Sequence, residues 1–196
     1  MSEIIQDKDH TIEARSSVTA DVTFVIDVDS IVEYINDSQI KSSLDPKNPT
    51  TIKQYVYIAS YTPEYGLVVS SSSGARVIVP INANIRWRAT TVSNNFDYTI
   101  ILYKFKKLNP EEDIISIPSQ IWSHNPKGKK IPMIPSGVNA DEDEPKPIFV
   151  ESQDSYFQAT AYKTGVERYT WFFAAYDGTK LLGYYRYDPY IEVKSN

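Results

Sequence analysis

Residues 155–193 read "SYFQATAYKTGVERYTWFFAAYDGTKLLGYYRYDPYIEV", and this stretch decides the fold class. Its aromatic and β-branched side chains suit a pleated surface and lose rotamer freedom in a helix, so it points to strands. Asp177-Gly178 is a strong hairpin signal and "KTG" at 163–165 marks a second turn, which divides the stretch into three or four strands. In an alternating strand Tyr185 and Tyr187 share one face while Tyr184 and Arg186 share the other, so one set is expected in the core and the other outside. Asp188-Pro189 fits a bend or a strand start, where the missing N–H is not needed. A last strand laid into a sheet then ties the C-terminus down.

The same pattern extends upstream. "DVTFVIDV" at 21–28 puts Val22, Phe24, Ile26 and Val28 on one face, with Asp21, Thr23, Val25 and Asp27 on the other. "DSIVEYI" at 29–35 suggests one or two helical turns capped by Asp29 or Ser30. A loop follows at 36–51, and "KQYVYIASY" at 53–61 alternates again. "GARVIVPI" and "NIRWRATTV" are expected to pair across Asn82-Ala83-Asn84, since Asn tolerates the positive φ of short turns. "FDYTIILYKFKKL" at 96–108 has the apolar density of a strand near the middle of a sheet. Seven of the twelve prolines fall within 107–153, which predicts edge segments and long loops there rather than a second domain. The expected fold is all-β, an antiparallel jelly-roll-like or Greek-key β-sandwich of roughly nine or ten strands. Residues 21–196 are expected to form a single domain with a Pro-rich loop excursion, behind a flexible tail at 1–20.

Composition excludes several functions. With 196 residues and no cysteine, the chain needs no disulfide staples and has neither a thiolate nucleophile nor a zinc-thiolate site. A formal charge of −5 argues against a nucleic-acid partner, because the only basic cluster is the loop "HNPKGKK" at 124–130. The polar, acidic N-terminus lacks signal-peptide character and no 18-residue apolar span follows, so a cytoplasmic protein without a membrane partner is expected. The two histidines, His10 in the tail and His124 beside a Pro-containing loop, have no strand-borne Ser or Asp partner, so catalytic residues are not expected.

The order of four segments resembles the PixA/AidA family of bacterial inclusion-body proteins. They are "DVTFVIDVDSI" at 21–31, "LDPKNPTTIKQYVYI" at 44–58, "NIRWRATTVSNNFDYTIILYKF" at 84–105 and residues 156–193 of the opening stretch. Ala83-Asn84 stands where family members tend to have Gly-Asp, and Tyr187 where they tend to have Trp. With only Met1 and Met133, a methionine-storage role does not carry over. The resemblance implies a β-sandwich without known catalytic machinery, made abundantly in dense cultures, that collects in cytoplasmic inclusions. The implied partner is a second copy of the chain, in a homo-oligomer such as a dimer.

Two constellations suggest an alternative, a carbohydrate-binding protein assisted by calcium. Asn94, Asn95, Asp97 and Tyr98 in "SNNFDY", with Phe96 and the C-terminal Tyr187, combine polar groups for sugar hydroxyls with rings for the C–H face. Asn-Asn is also ordinary turn chemistry. Asp27 and Asp29, joined by Asp177 and Asp188, are the carboxylates a calcium site would use, against the simpler reading of a polar strand end leading into a helix cap. Trp87 is assigned to the core beside Ile85, with Arg86 and Arg88 pairing on the opposite face, and "ADEDEP" at 140–145 to a solvated loop.

Overall fold

The structure is a computed structural model that describes residues 18–38, 40–71, 74–109, 111–122, 129–137, 146–152 and 155–195. His10, His124 and the acidic run at 140–145 lie outside them. The first sheet has the order β4-β3-β1-β6-β11-β8, where β1 is Thr19–Ile26, β3 Val56–Thr62, β4 Gly66–Ser70, β6 Asn84–Thr91, β8 Ser119–Trp122 and β11 Ser155–Thr160. The second has the order β2-β13-β12-β14-β5, where β2 is Thr50–Thr51, β5 Arg76–Pro80, β12 Gly165–Asp177, β13 Lys180–Tyr187 and β14 Tyr190–Lys194. Strand β7 (Thr99–Lys107) also pairs with β12, and β9 (Lys129–Met133) with β10 (Ile148–Ser152) makes a separate two-stranded sheet. The all-β sandwich is borne out, built from more and shorter strands than expected.

Alternation builds the core. In β1, Ala20, Val22, Phe24 and Ile26 are buried, and in β13 and β14 Tyr185, Tyr187, Ile191 and Val193 are. The two sheets meet through rings: Phe24 packs edge-on to Tyr187 at 6.5 Å, and Trp87 sits 5.8 Å from Trp171. Such pairs add about 1 kcal/mol each to the area they bury. Tyr185 and Tyr187 are therefore the inward pair of the C-terminal segment, and Arg186 faces out. Trp87 is buried with Ile85, while Arg88 reaches Asp21 at 3.0 Å and Arg86 Nε donates to Gln158 at 3.3 Å.

Several expectations need correction. The pairing is mixed rather than purely antiparallel, because β1–β6, β13–β2 and β14–β5 run parallel. β5 and β6 do not pair with each other. The chain turns at Asn82, which has the expected positive φ of 66°, but its N–H donates to Ala161 O and that of Asn84 to Val18 O, so β6 enters the opposite sheet. The helix α1 runs Val28–Asp37, longer than expected, and buries Val28, Ile31 and Ile35 on one stripe. Its cap is Asp27, two or three residues earlier than predicted: Ser30 N donates to Oδ1 at 3.0 Å and Ser30 Oγ to Oδ2 at 2.7 Å. β7 pairs only with β12 among the described residues, so it lies at an edge. Its apolar density comes from facing the other sheet, where Phe105 lies 6.3 Å from Trp87 of β6, and not from having a neighbour on both sides.

Candidate functional site

The structure brings part of the predicted constellation together and disperses the rest. Asp29 at the start of α1, Asp97 and Tyr98 before β7, and Asp177 at the β12–β13 turn converge at one end of the sandwich. Their carboxylates raise the Tyr98 phenol pKa, Asp29 most strongly through charge and a hydrogen bond, with Asp177 and Asp97 contributing. Phe96 projects beside them, 90% exposed.

The other predicted residues have structural employment. Asn94 and Asn95 carry the left-handed φ values of the turn, 54° and 62°, and Asn95 Oδ1 accepts from Thr91 N at 3.1 Å. Asp27 is consumed by the helix cap. Tyr187 is buried and its hydroxyl is pushed up to about 12 by burial, so it offers no stacking surface to a ligand. Asp188 accepts from Thr170 Oγ1 at 2.7 Å and faces Arg168 Nη2 at 3.7 Å. Seven residue steps along β12 separate Thr170 from Asp177, which puts Asp188 roughly 20 Å from the acidic end. The four aspartates thus do not share one point, and no group of three or more His, Asp or Glu side chains is arranged for a metal among the described residues.

Three features escaped the sequence reading. The first is a cleft of about 290 Å³ between the β7 edge and β6–β11–β8, lined by Arg88, Gln120, Trp122, Ser155 and Tyr156 among others. Trp122 is 54% exposed there, and Arg86 and Arg88 sit over the Tyr156 ring at 5.2 and 4.9 Å. Nothing in "SQIW" signals this, because the cleft walls come from four separate strands.

The second is a buried ionic knot. Glu167 on β12 is fully buried with its carboxylate 3.8 Å from Lys107 Nζ, and Lys107 also reaches Asp113 at 2.5 Å and donates to the carbonyl of Ile115. Burial pushes the Glu167 carboxyl above its ordinary value, against the opposing effects of the Ile114 N–H and of Lys107. Hydrogen bonding to Lys107 foremost, and then to Tyr162, holds Asp113 below the usual carboxylate range. The knot fastens the loop after β7 onto β12, which is a structural task.

The third feature is the outer margin of the first sheet. The register pairs Tyr61 with Leu67 and Ala59 with Val69, so these side chains share the outer face with Tyr57. Leu67 and Val69 are 69% and 64% exposed, and β4 has no neighbour on its far side among the described residues. "GLVVS" is readable as an apolar strand; that its apolar side chains face solvent is not.

No helix among the described residues is long and apolar enough to cross a membrane. No curated protein matches the chain. The fold is similar to that of the inclusion body protein PixA from Burkholderia cenocepacia J2315, with a TM-score of 0.61 at 16% identity over 93% of this chain and 100% of that one. A cysteine protease inhibitor from Entamoeba histolytica aligns over 62% of this chain and 87% of its own at 15% identity, with a TM-score of 0.28 that is too low to carry a structural argument. The family model described as PixA, inclusion body protein, matches residues 18–193, and with nearly the whole described chain inside that match, this protein belongs to the PixA inclusion body protein family.

Proposed function

We propose that this protein acts by assembling with copies of itself, without catalysis, into dense inclusions in the cytoplasm of the cell that makes it. The observation that carries the reading is the apolar outer margin of the first sheet, where Tyr57, Tyr61, Leu67 and Val69 face solvent and the far edge of β4 has no neighbour among the described residues. Exposed apolar patches and open sheet edges are where chains associate, and a soluble monomer normally blunts both. The family's description as inclusion body proteins supports the same reading. Sedimentation velocity of the purified chain at tens of micromolar should show a dimer or larger species, and fluorescence microscopy at native abundance should show discrete bodies. Only monomer at high micromolar concentration, with diffuse protein in cells, refutes it.

A second reading, glycan binding, is favoured by the cleft at Trp122. An exposed indole beside Tyr156, Arg88, Gln120 and Ser155 offers a stacking face and hydrogen-bonding groups within one concavity. A single sugar held there would bind at about the millimolar level, roughly 4 kcal/mol, so several sites on an oligomer would supply the avidity. A glycan array run with calcium and again with a chelator tests this, with Trp122→Ala as the control. Signal lost in that variant supports the cleft, signal lost on chelation adds a bridging calcium, and a blank array removes the reading.

A further inference from the structure

The sheet edges of this protein are not equally protected. Lone strand edges invite pairing with another chain, and proteins guard them with lysines, prolines or brevity. β7 carries Lys104 and Lys106, and β5 begins at Arg76 and ends at Pro80. β2 is only two residues long. β4, Gly66–Ser70, carries no charge and no proline, and at five residues it is longer than the other uncharged edge, the four-residue β8.

Resting on the self-association reading above, we propose that β4 pairs antiparallel with β4 of a second copy about a two-fold axis at Val68, joining two six-stranded sheets into one of twelve strands. Closed two-fold dimers are the commonest homo-oligomers, and their interfaces must be self-complementary. β4 meets that condition. The register centred on Val68 pairs all five residues, places Leu67 opposite the partner's Val69 twice, and sets no like charges against each other. Side-chain parity keeps the outer faces of both sheets on the same side, so Tyr57, Tyr61, Leu67 and Val69 of each copy extend one apolar stripe across the axis. A peptide of another protein would find the same main-chain edge, but only a second copy supplies this reciprocal match along the full strand.

A charge-swap series on the full chain tests the register. Leu67→Glu and Val69→Lys are each expected to weaken the dimer on the order of tenfold or more, because each places an unpaired charge in a newly buried apolar contact. The double variant Leu67→Glu/Val69→Lys should regain most of the loss, since the two substituted positions face each other across the axis twice. A mixture of the two single variants should form a heterodimer in preference to either homodimer. Circular dichroism and melting curves, expected to stay near wild type at these exposed positions, exclude misfolding as the cause. A wild-type dimer indifferent to all three variants leaves self-association standing and overturns the β4 interface. Weakening without rescue in the double variant overturns the register. A wild-type monomer overturns the reading beneath both, and slow hydrogen exchange at Leu67 and Val69, whose amides point away from β3, in such a monomer would mean that the chain covers its own edge.

Discussion

Gly183→Ala probes whether the tyrosine-rich C-terminal segment packs as tightly as the structure indicates. A methyl group at this position would lie 2.8 Å from the Tyr185 hydroxyl oxygen, 3.0 Å from its Cζ and 2.9 Å from Ser42 Cβ. Neither neighbour has room to retreat. The Tyr185 ring is buried and stacked on Phe173 with centroids 5.4 Å apart, and the Ser42 segment is pinned where Tyr184 N donates to Ser43 O at 2.8 Å. Relief would cost the 2.8 Å hydrogen bond between Ser42 Oγ and the Tyr185 hydroxyl. Overpacking costs about 1–3 kcal/mol and the lost hydrogen bond about 1 kcal/mol, while replacing glycine returns roughly 0.5–1 kcal/mol by restricting the unfolded chain. The net expectation is about 2 kcal/mol of destabilisation, which in a domain of this size lowers Tm by roughly 4–8 °C. Urea unfolding and calorimetry measure it directly. In a Tyr185→Phe background the hydroxyl is absent, so the same substitution should cost about 1 kcal/mol less. A Gly183→Ala variant as stable as the wild type would refute the close packing of Gly183, Ser42 and Tyr185.

Other substitutions test other parts of the structure. Asp27→Ala should cost about 1 kcal/mol by removing the acceptor at the start of α1, while Asp27→Asn should stay close to wild type in urea unfolding. Asn82→Ala should lose about 1 kcal/mol at its positive φ, whereas Asn82→Gly should melt at or above the wild-type temperature. Lys107→Met strands the buried Glu167 carboxylate and should cost about 3–5 kcal/mol by chemical denaturation, with much of that recovered in the Lys107→Met/Glu167→Gln double variant. Because burial raises the Glu167 pKa above 4.5, its contribution to stability is complete below that pH and is lost as pH rises through the folded-state value. Glu167→Gln should therefore gain on the wild type progressively above pH 4.5 when urea midpoints are compared. Asp113 has the opposite sign, since its folded-state value is lowered.

What the sequence determined by itself is what depends on near neighbours along the chain. Alternation placed Val22, Phe24 and Ile26 inside and put Tyr185 and Tyr187 on the face opposite Tyr184 and Arg186, because side chains in a strand alternate whatever pairs beside it, while packing decided that the Tyr185–Tyr187 face is the buried one. The Asp177-Gly178 hairpin and the left-handed Asn82 were legible for the same local reason. Strand partners were not. β5 and β6 are three residues apart yet belong to opposite sheets, since their backbone groups are satisfied by β14, β1 and β11, from distant parts of the chain. The same holds for the candidate sites. Asp29, Asp97 and Asp177 were each visible, but only the folded chain showed that they meet at Tyr98, that Asp27 is spent on a helix cap and that Asp188 lies elsewhere with Arg168. The exposure of Leu67 and Val69 and the burial of Glu167 were likewise beyond local reading. An apolar run or a carboxylate looks the same in sequence whichever side of a sheet it faces, and only tertiary packing decides what covers it.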